Sequence, residues 1–233
     1  MKINDLKRQL NRYDISCTDE QIFLLDKFMQ STLETNEKFN LTAIKDLDAF
    51  VEKMIFDSAL VLYDTDLSNK TVIDVGTGAG FPGMVLKIIS PETKMTLLDS
   101  TKKKIDYLLN FSKANGIDVK GVSSRAEDYA RNNRNTYDYA TARAVAALNI
   151  LLEIIVPLLK VGGPFIAMKG PGYEDEINQS NNALAKLNCV ISQIYEFDLP
   201  ESNERRAIIH IKKIKDTPKK YPRDYSDIKR LPL

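Results

Sequence analysis

Three alternating glycines follow a short apolar segment, and this spacing is the strongest chemical signal in the sequence. Residues 71–75 are apolar and mostly β-branched apart from Asp74, as in a buried parallel strand. A strand, a glycine loop and a helix start form a seat for a nucleotide-type cofactor, because a backbone without Cβ atoms lets a ligand approach. The three loop glycines are Gly76, Gly78 and Gly80. A helical pattern follows them, beginning near Pro82 and running over residues 84–89.

Two classes of cofactor compete for this loop. Residues 78–83 spell G-x-G-x-x-G, the spacing of dinucleotide-binding enzymes, a weak signal when it stands alone. Asp74 and the three glycines instead look like motif I of class I S-adenosylmethionine methyltransferases. A carboxylate at the loop mouth would repel a pyrophosphate but suits a cofactor with a sulfonium and an amine. The sequence therefore favours methyl transfer over hydride transfer.

From residue 70 onward, strand and helix patterns alternate, which is typical of a doubly wound parallel sheet. The predicted fold is α/β, a mostly parallel, seven-stranded, Rossmann-like sheet of the class I methyltransferase type. We expect an exposed polar loop at residues 131–135 and helices at 101–114, 148–160 and 173–187. The predicted strands span residues 71–75, 94–99, 118–122, 137–145, 164–170, 190–197 and 205–214.

A helical extension precedes the sheet. Residues 1–35 are expected to form helices, with a capping box over residues 18–21, and residues 36–42 a loop. An amphipathic helix is predicted at residues 46–62. Asp57 and Ser58 lie beside its apolar face and are interpreted as local capping or hydrogen-bonding residues.

Polar side chains end the predicted strands, where the carboxyl edge of a parallel sheet binds ligands. Asp99 lies about twenty residues beyond the loop, where an acidic side chain accepts hydrogen bonds from ribose hydroxyls. Its alternative role is to cap the next helix. Residues 123–128 would border an adenine. Arg143 ends the fourth strand and faces the same crevice, unless it forms only a surface salt bridge.

Composition excludes several classes of protein. The chain has 233 residues, of which 43% are hydrophobic and 28% charged, as expected for one globular domain with an extension. Its net charge of +1 predicts no overall electrostatic attraction to nucleic acid. Cys17, Cys189 and the single His210 are too few for a disulfide framework or a multi-histidine metal centre. We expect a cytoplasmic protein without a metal, a signal peptide or a membrane span.

The C-terminal region is locally basic and includes tyrosines, a composition that suits phosphates and unpaired bases. A solvated arm is the alternative interpretation. The predicted organisation is a helical extension (1–66), a methyltransferase domain (67–215) and a basic tail on or near an RNA face (216–233). Candidate RNA contacts in this region are Arg205, Arg206, Lys219, Lys220, Tyr221 and Arg223.

Taken together, motifs from residue 36 to the C-terminus resemble the bacterial 16S ribosomal RNA guanine-N7 methyltransferase family, also called glucose-inhibited division protein B. The phrases that carry the resemblance are Asn40-Leu41-Thr42, Asp57-Ser58, residues 74–83, Leu97-Leu98-Asp99-Ser100 with Lys102-Lys103-Lys104, Arg125-Ala126-Glu127, Arg143-Ala144-Val145-Ala146, Lys169-Gly170 and residues 219–223.

The resemblance implies S-adenosylmethionine as cofactor and 16S ribosomal RNA, the small subunit or its assembly precursor as partner. Arg125 matches a basic position near the substrate, and Lys169 is a further candidate RNA contact. The chain departs from the family pattern at Lys53 and Met54, where an arginine and a histidine are usual, and at Asp224, where a glycine is usual. Cofactor contacts are expected from Asp74, Gly76, Gly78, Gly80, Phe81, Asp99, Ala126, Glu127 and Arg143.

The residue inventory suits this reaction. Guanine N7 holds an in-plane lone pair, so the enzyme must align reactants and needs no general base. Arg143 and Arg125 are expected to do this, and Arg143→Ala to lower methylation without unfolding the protein. The alternatives are a methyltransferase with another substrate, a non-catalytic RNA or ribosome assembly factor, and, more distantly, a dehydrogenase. A monomer is expected.

Overall fold

The structure is a computed structural model, and it describes residues 1–37 and 40–233. Lys38 and Phe39, within the loop predicted at residues 36–42, lie outside the described residues.

A seven-stranded sheet forms the centre of the molecule, with the strand order β3-β2-β1-β4-β5-β7-β6. The first five strands are mutually parallel, whereas β7 pairs antiparallel with both β5 and β6. The strand order reverses between β1 and β4, and a crevice for a ligand opens at such a point. The predicted sheet is confirmed, with strands β1 (Thr71–Val75), β2 (Lys94–Asp99), β3 (Val119–Ser123), β4 (Tyr139–Arg143), β5 (Pro164–Lys169), β6 (Cys189–Asp198) and β7 (Arg205–Lys213).

The N-terminal helices pack on one face of this sheet. Thr18 and Gln21 form the predicted capping box, with each side chain bonded to the backbone nitrogen of the other residue. Leu25 and Phe28 share one apolar core with Met84 and Leu108 from the helices after β1 and β2. The helices on this face are α1 (Ile3–Asn11), α2 (Asp19–Asn36), α3 (Leu47–Phe50), α4 (Asp57–Ala59), α5 (Gly83–Ile89) and α6 (Lys102–Ala114).

The helix predicted at residues 46–62 is continuous but irregular. A π-helical segment (Val51–Phe56) joins α3 to α4, and a 3₁₀ turn (Leu60–Leu62) follows. π-Helical segments occur often at functional sites.

The remaining helices and the tail cover the other face. Two predictions are wrong here: α7 includes Arg131 and Asn132, which fall within the loop predicted at residues 131–135, and the helix predicted at residues 173–187 is broken at Ser180. The tail packs into this core through Tyr221, Ile228 and Leu233. The helices are α7 (Ala126–Asn132), α8 (Leu148–Ile155), α9 (Tyr173–Gln179), α10 (Asn181–Leu187) and α11 (Tyr225–Arg230).

Candidate cofactor and substrate cavities

The glycine loop after β1 takes a conformation that other residues rarely adopt. Gly76, Gly78 and Gly80 have φ angles of +72°, +57° and +100°. A Cβ atom on Gly80 would lie 2.7 Å from Leu108 and 2.8 Å from Phe28, so this glycine is required by packing. A Cβ atom on Gly78 would meet only the Gly76 carbonyl oxygen, at an ordinary van der Waals distance of 3.9 Å. The loop therefore leaves room for a ligand at Gly78 and packs against the core at Gly80.

Asp74 lies beneath this loop rather than at its mouth. Its side chain is fully buried, accepts a hydrogen bond from the Gly83 nitrogen at 2.8 Å and receives another from the Thr141 hydroxyl at 3.2 Å. Burial raises the pKa of Asp74 to about 6. The carboxylate holds the start of α5 against β1, and the cofactor contact expected of Asp74 stays a prediction.

The Asp99 carboxylate bonds the backbone on both sides, one oxygen towards α6 and the other towards the glycine loop. One carboxylate oxygen accepts a hydrogen bond from the Thr101 nitrogen at 2.8 Å, at the start of α6. The other accepts a hydrogen bond from Gly78 in the glycine loop at 3.0 Å. The bond to Thr101 forms a turn just before α6, and within the described part of the chain no side chain caps the first turn of that helix, so the capping interpretation is wrong. Asp99 also lines the adjacent cavity, and its cofactor contact stays a prediction.

A cavity of about 490 Å³ lies at the carboxyl ends of β1, β2 and β4. Most of the predicted cofactor residues meet there, although they come from four separate segments of the chain, at the ends of β1, β2, β3 and β4. Asp74 and Gly80 lie outside its lining. Asp74 instead bonds the nitrogen of Gly83 at the start of α5, and Gly80 packs against the core. The predicted residues in the lining are Gly76, Gly78, Phe81, Asp99, Arg125, Ala126, Glu127 and Arg143.

Tyr225 in α11 also lines this cavity, and the sequence did not predict it as a site residue. The Arg125 guanidinium lies 4.5 Å from the centre of the Tyr225 ring, and its Nε donates to Glu127 Oε1 at 3.1 Å. The bond to Glu127 raises the pKa of Arg125. The tail thus supplies one wall of this cavity, and no local spacing in the sequence signalled this.

Arg143 lies between this cavity and a second one. Its guanidinium donates to Asp57 Oδ2 at 3.3 Å and to the Lys53 carbonyl at 2.9 Å, and its centre is 5.6 Å from the Phe81 ring. Only 14% of the side chain is exposed, so the surface salt-bridge alternative is wrong. Ala144 follows with a positive φ of 54°, a strained conformation of the kind that clusters at functional sites.

Asp57 joins two arginines that are distant in the sequence. The same Oδ2 atom also receives a hydrogen bond from Arg206 Nε at 3.4 Å. Burial raises the pKa of Asp57, and the two guanidinium groups oppose that rise. The interpretation of Asp57 as a local capping residue is wrong, whereas Ser58 does make a local hydrogen bond to the Met54 carbonyl.

The second cavity has a volume of about 880 Å³ and lies beside the carboxyl ends of β4 and β5. It shares Met54, Arg143, Ala144 and Val145 with the first cavity. Lys169 and Arg206, both predicted RNA contacts, lie in its wall. The two cavities therefore meet at the end of β4.

The other predicted RNA contacts are dispersed. Arg205 is exposed and pairs with Glu196. Lys219 and Lys220 are exposed between Thr217 and Tyr221, whose carbonyls both bond Arg134 in the loop that leads into β4. That loop lies at the amino edge of the sheet, opposite both cavities.

Tyr221 and Arg223 are held by the protein itself. The Tyr221 residue is 4% exposed, so its ring is covered by the protein, and its expected contact with RNA stays a prediction. Arg223 makes two side-chain hydrogen bonds to Glu153, a fully buried residue of α8, at 2.9 and 2.6 Å. These contacts explain why the tail is packed rather than extended.

Two kinds of structural feature are absent from residues 1–37 and 40–233. Over those ranges no group of three histidine, cysteine or acidic side chains is arranged to hold a metal ion. Within the same part of the chain, no helix has the length and apolar character needed to cross a membrane.

Comparison with known proteins gives one consistent family. Residues 21–212 match the model of the family described as rRNA small subunit methyltransferase G. The chain is 39% identical to "Ribosomal RNA small subunit methyltransferase G" of Halalkalibacterium halodurans, with 100% of both chains covered. It is 44% identical to the protein of the same name from Alkaliphilus metalliredigens, covering 88% of this chain and 87% of that one.

Solved structures support the fold. M. jannaschii TYW2 in complex with AdoMet superposes with a TM-score of 0.58 at 14% identity, covering 74% of this chain and 80% of that chain. A SAM-dependent methyltransferase from Aquifex aeolicus gives a TM-score of 0.52 at 18% identity, covering 77% and 97%. The sheet and its flanking helices are thus those of a known α/β architecture.

Proposed function

The chain belongs to the rRNA small subunit methyltransferase G family, and from this premise we propose that it transfers a methyl group from S-adenosylmethionine to N7 of a guanine in 16S ribosomal RNA. The protein is a methyltransferase, and S-adenosylmethionine is its methyl donor. The single observation that best supports the proposal is the junction of two cavities at Arg143, one with the predicted cofactor residues and one with Lys169 and Arg206.

The first cavity fits the methyl donor. Asp99 can accept hydrogen bonds from ribose hydroxyls, and Gly78 leaves its backbone open to a close ligand. Ala126, Glu127 and Tyr225 would surround the base. When bound, S-adenosylmethionine supplies an electrophilic methyl group on its sulfonium.

The residues at the junction suit a reaction that needs alignment. Guanine N7 already presents a lone pair, so no side chain has to remove a proton. Arg143 is held from three sides, by Asp57, by the Lys53 carbonyl and by the Phe81 ring, and we propose that it positions the substrate beside the methyl group. Arg125, half exposed at the cavity rim, would hold the RNA.

The organisation follows from these roles. We propose that the helical extension (1–66) and the methyltransferase domain (67–215) together form the two cavities, and that the tail (216–233) braces the cofactor side. The partner is the small ribosomal subunit or its precursor, approached from the carboxyl edge of the sheet. The protein would act as a monomer in the cytoplasm, without a metal.

The test is transfer of a labelled methyl group from S-adenosylmethionine to small ribosomal subunits that lack the modification, followed by nucleoside analysis. The expected product is 7-methylguanosine at one position. A different methylated nucleoside would redirect the substrate assignment. RNA binding with no transfer would favour an assembly factor, and transfer only to small molecules or proteins would remove RNA as the substrate.

A further inference from the structure

We propose that Lys169 and Glu176 read the Watson–Crick edge of the target guanine in the second cavity, and thereby set the base specificity of the enzyme. This inference rests on the proposed function, because it assumes that a guanine enters this cavity. Its evidence is the arrangement of hydrogen bonds around the two side chains.

Glu176 is held by one oxygen only. Its Oε2 accepts a hydrogen bond from Lys169 Nζ at 2.7 Å and another from the Leu148 nitrogen at 2.8 Å. Over residues 1–37 and 40–233 no hydrogen bond reaches Oε1, and Glu176 lines the cavity with its side chain 33% exposed. The carboxylate is therefore fixed in orientation with one acceptor left for a ligand.

Lys169 is fixed in a similar way. Its side chain is only 8% exposed, and its Nζ donates to the Ala146 carbonyl at 2.9 Å as well as to Glu176. An ammonium has three N–H donors, so one remains for a ligand. The pair presents a donor and an acceptor side by side in the wall of one cavity.

A donor beside an acceptor in the cavity wall complements the Watson–Crick edge of guanine and not that of adenine. Guanine carries the acceptor O6 next to the donors N1–H and N2–H₂, whereas adenine carries a donor at position 6 and an acceptor at N1. Lys169 would donate to O6 while Glu176 accepts from N1–H and N2–H₂. O6 also lies beside N7 on the major-groove edge of guanine. With O6 at Lys169, N7 could therefore face the junction with the cofactor cavity.

The cavity suits an extruded base in other respects. Enzymes that modify a base bind it in a pocket, reading its Watson–Crick edge and packing apolar groups against its faces. The walls include Ile44, Met54 and Met168. The volume of about 880 Å³ lies within the range of small-molecule sites.

The test compares Glu176→Gln with wild type on small subunits reconstituted with guanine or hypoxanthine at the methylated position. Hypoxanthine lacks only the N2 amine. Wild type should prefer guanine by roughly tenfold or more in kcat/KM, the value of one hydrogen bond to a charged group. In the variant, Lys169 and the Leu148 nitrogen will attract the amide oxygen, so the amide NH₂ will face the base donors. We expect at least tenfold lower activity on guanine and a guanine-to-hypoxanthine ratio near one.

Asp175→Asn is the matched control, since this exposed neighbour on α9 undergoes the same change of charge. It should keep both the rate and the ratio of wild type. Binding of S-adenosylmethionine, measured by calorimetry, should be equal in all three proteins. A merely structural role for Glu176 would lower the rate on both bases and leave the ratio unchanged, which would overturn the inference. Failure of wild type to methylate guanine would overturn the proposed function, and the inference with it.

Discussion

At the scale of single residues, buried charges decide how the junction of the two cavities is built. Asp57 accepts hydrogen bonds from Arg143 and Arg206 on one oxygen, at 3.3 and 3.4 Å. Removing one partner of a buried ion pair costs more than the pair contributes, because the remaining charge loses its compensation. Substitutions here will therefore change stability as well as activity.

Arg143→Ala should lower methyl transfer at least tenfold and also lower the free energy of unfolding by about 1–3 kcal/mol, less than the full cost of breaking a buried pair because Arg206 remains beside Asp57. This modifies the expectation from the sequence of an effect on activity alone. Adding Asp57→Asn should restore part of the stability but not the activity. Urea unfolding and methyl-transfer rates measure the two effects, and recovery of both by the double variant would argue against a direct role for Arg143.

Asp74 should make stability depend on pH. Burial raises its pKa from 3.8 to about 6, so the folded chain keeps a proton that the unfolded chain releases, and the contribution of Asp74 to stability falls as the pH rises through this interval. Asp74→Asn removes this titration, while its amide can still bond the Gly83 nitrogen and the Thr141 hydroxyl. The stability of the variant relative to wild type should rise by about 2 kcal/mol between pH 4 and pH 7. Urea unfolding at both pH values tests this, and a constant difference would contradict it.

At the scale of elements, the tail functions as a brace. It leaves β7 at the amino edge of the sheet, bonds Arg134 on the way, and reaches the carboxyl edge with Tyr225 in the cofactor cavity. Arg223 anchors this path on Glu153 of α8, which is fully buried. A basic segment that the sequence associates with RNA is thus mainly part of the fold.

Arg223→Ala should destabilise the protein by about 3–5 kcal/mol, because it leaves the Glu153 carboxylate buried without its cation. The exposed Lys229 in α11 provides the control, and Lys229→Ala should cost less than about 0.5 kcal/mol. Both values come from urea unfolding. Unchanged stability of Arg223→Ala together with weaker subunit binding would instead support the RNA contact expected from the sequence.

At the scale of the whole molecule, a near-neutral chain carries a pair of neighbouring lysines at each edge of the sheet. Lys103 and Lys104 lie in the first turn of α6 at the carboxyl edge, and Lys104 lines the cofactor cavity. Lys219 and Lys220 lie on the tail near the amino edge, on the opposite side of the sheet. RNA whose base enters the second cavity must cover the carboxyl edge first.

Two double variants, each losing two positive charges, test which edge of the sheet contacts the RNA. Lys103→Ala/Lys104→Ala should raise the KM for small subunits several-fold and lower the slope of log KM against log salt concentration by about 2, one for each lost phosphate contact. Lys219→Ala/Lys220→Ala should leave both within about twofold. The reverse result would place the RNA across the amino edge and support the tail contacts predicted from the sequence.

Patterns in the sequence were enough to predict the sheet, the glycine loop and the position of Asp99 at the end of β2. These depend on local patterns, because apolar periodicity and glycine spacing act over a few neighbouring residues. Seven strands and the capping box at Thr18 follow from such patterns, and so does the placement of Arg143 at the end of β4. The family and the cofactor were predicted from the resemblance in motifs.

Which of those residues face the cavities depends on contacts between distant parts of the chain. Asp57 meets Arg143 and Arg206 across 86 and 149 residues of chain, and Tyr225 reaches Arg125 from the tail. Asp74 and Tyr221 have the residue types expected of ligand contacts, yet both are buried by packing. Local spacing cannot report such outcomes, since a side chain's partners depend on how distant elements pack, and burial decides whether a charge or a ring is available to a ligand.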